Sequence, residues 1–251
     1  MIPALHDRAV NRRWAVYWAP PAAHPLWRAG CEWLGRDPER PDESLHAIGP
    51  EAWTQAPRRY GFHATLKAPM RLRDPADEPG FLAAVATLAA RHADFEMPRL
   101  QVARLGDFIA LRPVDEPPPA HPLRRLADDC VESLDAWRAP AFDAEIARQL
   151  DRHLDPDRPD PERETRVRRW GYPHVFADWY FHLTLSNPIA GHPAAEASST
   201  AAERHFASAL TAPLPGDGLC VFIEDKPGAA FRLAHRFALG VTTRSPAPAV
   251  R

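Results

Sequence analysis

The sequence predicts an α+β fold: two pseudo-symmetric lobes with a cleft between them. Three observations point there. The octapeptide Phe62-His63-Ala64-Thr65-Leu66-Lys67-Ala68-Pro69 returns as Phe181-His182-Leu183-Thr184-Leu185-Ser186-Asn187-Pro188, matching at five of eight positions. Each copy is followed by a helical pattern and two strand patterns, over residues 60–112 and 179–239. A proline-rich run, Arg112 to Pro122, separates the two halves as a semi-rigid connector. The lobes are therefore expected at about residues 1–118 and 119–243, within one bilobal domain, with 244–251 as a loose tail.

The elements follow in order. Arg13 to Ala19 is rich in aromatic and branched residues and reads as a strand. Pro25 to Arg36 reads as a short helix with Leu26, Cys31 and Leu34 turned inward. Tyr60 to Ala68 is the first motif strand. Phe81 to His92 places Leu82, Val85 and Leu88 at helical spacing. Arg99 to Leu105 and Phe108 to Arg112 are two strands joined at Gly106-Asp107, a hairpin signal. Helices are expected over Leu123–Trp137, Phe142–His153 and Pro161–Trp170, with a polar break at Asp155–Pro161. Trp179 to Ser186 is the second motif strand and Ala194 to Leu210 a helix. Leu219–Glu224 and Phe231–Leu239 close the chain as strands.

Composition narrows the class. Hydrophobic content of 45% against 25% charged residues suits a packed core rather than disorder. A net charge of −2 excludes a broad basic surface for extended nucleic acid, while leaving room for a small phosphorylated ligand held by local cations. Cys31, Cys130 and Cys220 are too few and too scattered for a disulfide framework or a thiolate zinc site, which fits a reducing, cytoplasmic compartment. Met1 to Arg8 carries no apolar secretory region, and no stretch has the apolar length of a membrane span. Oligomeric state is not legible.

In a strand, residues two apart share a face. His63, Thr65 and Lys67 should point one way, opposite Ala64, Leu66 and Ala68; His182, Thr184 and Ser186 should oppose Leu183 and Leu185. Two imidazoles can divide acid–base work, one removing a proton from the attacking water and the other delivering one to the leaving oxygen. Thr65 and Thr184 would donate hydrogen bonds to non-bridging phosphate oxygens. Lys67 and Ser186 occupy the same position of the two copies, on the expected cleft face, and are candidate substrate contacts. Tyr60 is a candidate packing surface for a base or ribose. No cofactor is called for.

The duplicated His-x-Thr strands resemble the 2H phosphoesterase superfamily. The resemblance extends to Trp14-Ala15-Val16-Tyr17-Trp18, Trp33-Leu34-Gly35-Arg36-Asp37-Pro38, Arg59-Tyr60-Gly61-Phe62-His63, Gly106-Asp107-Phe108-Ile109-Ala110-Leu111, Arg169-Trp170-Gly171-Tyr172-Pro173 and Phe231-Arg232-Leu233-Ala234-His235-Arg236-Phe237. These are similar to a branch of unknown function associated with phosphonate-degradation operons. The resemblance implies antiparallel sheets lining a central cleft with helices outside. It also implies catalysis by His63 and His182 with Thr65 and Thr184 on the substrate, and a small cyclic phosphodiester as substrate: a 2′,3′-cyclic nucleotide or a sugar cyclic phosphate. A lone His-x-Thr is usually a satisfied strand residue; the duplication raises this pair above that. Two rivals stand beside it, a metal-dependent phosphohydrolase and a non-catalytic phosphate-binding module. The first lacks a His-Glu-x-x-His, an Asp-rich loop and a His-x-His pair.

Overall fold

The computed structural model describes residues 11–152, 160–189, 191–193 and 195–240. Met1–Arg8, read as lacking a secretory signal, most of the Asp155–Pro161 break, Ala194 and the tail lie outside those residues. The chain opens with β1 (Arg13–Trp18), α1 (Pro25–Leu34), α2 (Glu51–Tyr60), β2 (Ala64–Met70), α3 (Glu78–Arg91), β3 (Phe95–Glu96), β4 (Leu100–Leu105) and β5 (Phe108–Pro113). It continues with α4 (Pro122–Ser133), α5 (Asp143–Arg152), α6 (Arg163–Trp170), β6 (Leu183–Thr184), α7 (Ala195–Phe206), β7 (Pro215–Gly216), β8 (Gly218–Glu224) and β9 (Arg232–Ala238).

Local chemistry sets the boundaries. α1 and α4 start the same way: His24 and His121 each accept a hydrogen bond through Nδ1 from the backbone two residues on, at 3.1 Å, with proline in the first turn. The hairpin turns at Gly106-Asp107, pairing Leu105 with Phe108, and Gly106 takes φ of 57° there. α2 is an element the sequence reading did not assign. It absorbs Tyr60, expected in the first motif strand, and ends at Gly61, where φ is 85° and an added Cβ would lie 2.9 Å from Pro38 Cγ.

All strand pairs are antiparallel, in a four-stranded sheet β2-β1-β8-β9, a three-stranded sheet β4-β5-β6 and a short β3-β7 pair. The order motif strand, helix, short strand, hairpin occurs twice, as β2-α3-β3-β4-β5 and β6-α7-β7-β8-β9. The halves then exchange. β2 joins the sheet that holds β8 and β9, and β6 joins the sheet that holds β4 and β5. Each sheet thus draws strands from both sides of the proline-rich connector, and the boundary near residue 118 does not separate them.

Helices cover the sheets: α4 packs on β2, α3 on β8 and β9, and α7 on β4. The core between them is aromatic. Trp14, Tyr17, Trp18, Phe62, Phe181 and Phe222 are buried. The two motif strands are the edges of their sheets, laddered on one side only, so side chains must hold them on the other. Trp33 on α1 donates from its indole to the Leu185 carbonyl at 2.9 Å and packs on Phe206. Trp33→Ala is expected to lower stability by about 3–5 kcal/mol through the cavity it leaves, with Leu185 losing its donor. Urea unfolding of the variant checks this.

Candidate active site

His63 sits just before β2, and the turn at Gly61 sets its direction. Its Nδ1 lies 2.8 Å from the Gly61 carbonyl. A carbonyl only accepts, so Nδ1 carries the proton and Nε2 is the basic nitrogen. Thr65 Oγ1 lies 3.3 Å from that Nε2. His182 repeats the arrangement, with Nδ1 at 3.2 Å from the Tyr180 carbonyl. Both imidazoles are therefore tied to the carbonyl two residues upstream, and both keep Nε2 as the basic nitrogen.

The expected alternation holds through the histidines and threonines. Phe62, Ala64 and Leu66 are buried while His63 and Thr65 are half-buried; Phe181, Leu183 and Leu185 are buried while His182 and Thr184 are half-buried. The copies are joined directly: Trp179, at the start of the second motif segment, donates from Nε1 to the Thr65 carbonyl at 2.9 Å. Burial draws the His63 pKa from 6.5 down to about 3, opposed by the Gly61 hydrogen bond and assisted by the charge of His182. Burial likewise draws His182 down to about 4, with His174 and Arg112 pushing the same way. Burial thus leaves both imidazoles neutral at neutral pH.

Other expected residues fall elsewhere. The register pairs Thr65 with Tyr17 and Lys67 with Val16, so Leu66 is an extra residue, a bulge. One extra residue inverts the alternation, and Lys67 turns to the opposite face from Thr65. Its ammonium is 3% exposed and donates to the Val131 carbonyl at 2.9 Å, with Asp135 at 3.4 Å. Val131 belongs to the last turn of α4, whose carbonyls need donors, so Lys67 caps that helix. Burial lowers its pKa to about 8. Ser186 is also withdrawn: its hydroxyl accepts from the Ile109 amide at 2.9 Å and donates to the Asn187 carbonyl at 2.8 Å. It takes the place of a ladder acceptor where β6 ends. That strand is shorter than expected because continuing it would call on Pro113, which has no N–H.

Tyr60 stays at the site, with its ring 6.4 Å from that of His63 and stacked on Phe231 at 5.2 Å. Two groups escaped the sequence reading. Tyr17 stacks on His63 with ring centres 3.7 Å apart and an interplanar angle of 19°. Its strand position was clear, but nothing in the sequence placed it opposite Thr65. Trp179 was read only as the start of a strand. On the second side a row of rings runs from Tyr172 through His174 and Tyr180 to His182, with neighbours 5.1–5.5 Å apart. The arginines flanking the motifs are largely engaged: Arg59 pairs with buried Glu224, Arg166 with Asp160 and Asp178, Arg168 with Glu164 and Arg169 with Asp135. Arg232 pairs with Asp225 and Arg236 with Glu39.

Among the described residues no three of His, Cys, Asp and Glu gather as a group that could hold a metal ion, and no helix is long and apolar enough to cross a membrane. All three cysteines are buried and unbridged.

The fold and site define an α+β protein whose facing sheet edges present two histidine–threonine pairs. Residues 65–232 match a family described as a protein of unknown function (DUF1045), and the chain belongs to that family. His63 lies two residues before the matched region, whereas His182 and Thr184 lie inside it. Two curated relatives are both named ribose 1,5-bisphosphate phosphokinase PhnN. The protein from Janthinobacterium sp. (strain Marseille) is 35% identical over 233 residues, covering 87% of this chain and 49% of its own length. That from Laribacter hongkongensis (strain HLHK9) is 38% identical over 233 residues, covering 89% of this chain and 51% of its own length. The chain thus spans about half the length of the curated relatives it matches. The structure of E. coli LigT complexed with 3′-AMP is 14% identical with a TM-score of 0.40, covering 92% of this chain and 99% of that one.

Replacing Lys67 tests its structural placement. Lys67→Met removes the donor to Val131 and is expected to cost about 1–3 kcal/mol of stability. The variant should bind phosphate compounds as the wild type does. A binding loss without a stability loss would return Lys67 to the site.

Proposed function

We propose that this chain is a phosphoesterase of the 2H type that opens a small cyclic phosphodiester, with His63 and His182 as general base and general acid and no metal required. The observation that carries the reading is the repeated geometry: two imidazoles, each fixed as the Nδ1–H tautomer by its own chain, each with a threonine two residues on, on edges joined by the Trp179–Thr65 hydrogen bond. One Nε2 takes a proton from water as the water oxygen attacks phosphorus. The ring P–O bond breaks, and the leaving oxygen takes a proton from the other Nε2. Thr65 and Thr184 hydrogen-bond the non-bridging oxygens as charge builds there. Tyr17, stacked behind His63, holds that ring in plane.

Of the two substrate classes, a sugar cyclic phosphate is favoured by the relatives' name, which specifies ribose 1,5-bisphosphate. Opening a cyclic diester between O1 and O2 of ribose 5-phosphate, with cleavage on the O2 side, yields that compound. A role beside phosphonate breakdown, which the sequence resemblance implies, belongs to the same proposal.

In excess chelator, wild type should open a cyclic phosphate followed by phosphorus NMR, while His63→Ala and His182→Ala should each lose about 10²–10⁴-fold in rate. Turnover only after a divalent ion is added would replace this reading with the metal hydrolase. Tight binding without turnover under either condition would replace it with the binding module.

The pH dependence carries a sign. Burial depresses both histidines, His63 to about 3 and His182 to about 4. An anionic substrate between them stabilises the imidazolium and raises both. Because kcat/KM reads the free enzyme and kcat the complex, the kcat/KM optimum should lie on the acid side of the kcat optimum. Coincident profiles centred on the ordinary histidine pKa would contradict the burial argument.

A further inference from the structure

The helices that lead into the two motifs share a second repeat. α2 ends in Arg58-Arg59-Tyr60-Gly61 and α6 in Arg168-Arg169-Trp170-Gly171, with both glycines at positive φ, 85° and 76°. Arg59 and Tyr60 from the first copy and Trp170 and Gly171 from the second line one groove. Arg13, Arg71, Arg138 and Arg148 line it as well, against one carboxylate, Glu145.

The cations here outnumber the carboxylates that serve them. Glu224, fully buried, takes both Arg13 and Arg59. Asp135 takes Lys67, Arg138 and Arg169 together. Arg71 pairs with Glu145, which also feels the charge of Arg148, and Arg148 itself stands exposed on α5. Positive charge is left over in this groove, although the chain as a whole carries −2. The groove also adjoins the histidine pair. Tyr60 is its wall and lies 6.4 Å from His63, ring to ring. On the opposite wall Gly171 leads into the Tyr172–His174–Tyr180 row that reaches His182.

We infer that this groove is a subsite for a second, non-reacting phosphate monoester on the substrate. The inference rests on the proposed function of the histidine pair and deepens it: the substrate class becomes a cyclic phosphodiester that carries a separate terminal phosphate. Planar guanidiniums donate paired hydrogen bonds to phosphate oxygens, and Arg13 and Arg59 are held ready by a carboxylate behind them. Tyr60 separates the two anions, the reacting one beside His63 and the bound one among the arginines.

Calorimetry with ribose 5-phosphate tests the subsite without turnover. Wild type and the His63→Ala/His182→Ala double variant should bind it alike. Arg148→Glu and Arg71→Gln, measured separately with folding checked by circular dichroism, should each weaken binding by roughly tenfold or more, the worth of one charge-assisted hydrogen bond. Ribose without phosphate should not bind. The inference is overturned if wild type does not bind ribose 5-phosphate. It is also overturned if binding is lost in the histidine variant and kept in both arginine variants, which would put the phosphate between the histidines. Turnover of cyclic phosphates is measured in parallel. Its absence would overturn the proposed function of the histidines while the calorimetry still decides the groove.

Discussion

The Trp179 indole on the Thr65 carbonyl is the bond on which the site's geometry depends. Two sheet edges that face each other have unpaired backbone groups, and the default outcome is that they pair or slip. Here they do neither. The indole takes the exposed acceptor of one edge, Arg124 on α4 donates to the Trp179 carbonyl at 3.0 Å, and Phe181 packs edge-on against Trp18 at 5.5 Å. The second motif segment is thereby held at the first. The exchange of strands between halves serves the same end, because β6 pairs directly with β5 of the first half, and β2 is joined through β1 to β8 and β9 of the second.

A second constraint acts within each copy. An imidazole on a mobile strand end would sample both tautomers and several rotamers. Tying Nδ1 to the carbonyl two residues back removes that freedom using only the residue's own chain. The chain must present a carbonyl two residues before the histidine. On the first side Gly61 supplies it, with a positive φ and no room for a Cβ beside Pro38. On the second side Tyr180 supplies the carbonyl from extended chain next to a tight turn at Phe176–Asp178, where Phe176 itself takes φ of 56°. A non-glycine residue at that φ is strained, and strain of this kind persists where surrounding packing holds it. The two histidines reach equivalent states by unequal local routes.

This explains which parts of the molecule were legible in the sequence. Patterns that repeat locally could be read: the hairpin at Gly106-Asp107, the alanine-rich α3, and the alternation of His63 and Thr65 against Phe62, Ala64 and Leu66. What could not be read depends on a partner distant in sequence. The bulge at Leu66 exists only relative to β1, so period-two reasoning carried past Thr65 put Lys67 on the wrong face. Ser186 matched Lys67 in the octapeptide but serves the β5 backbone. Tyr17 reaches the site through register rather than pattern. The exchange of motif strands between sheets is likewise invisible to a reading that follows the chain, since both halves show the same order of elements. The paired Arg-Arg-aromatic-Gly helix ends were available as text; their meaning came from both copies lining one groove.

The electrostatics connect these features. Burial keeps both imidazoles neutral at neutral pH, so neither holds by itself the proton that the proposed general acid must donate. A neutral molecule entering the cleft would leave that unchanged. On the proposed reading, an anion between the rings would stabilise the imidazolium it faces, and the charge of the substrate would prepare the acid that acts on it. The neighbouring groove is already positive without a ligand, because Glu224 and Asp135 are each shared among several cations. The two regions therefore divide the electrostatic work. On the proposed reading the arginine groove would attract anionic compounds in general and the depressed histidines would respond to the anion placed between them, so attraction and acid–base readiness would be set by different residues on the two sides of Tyr60.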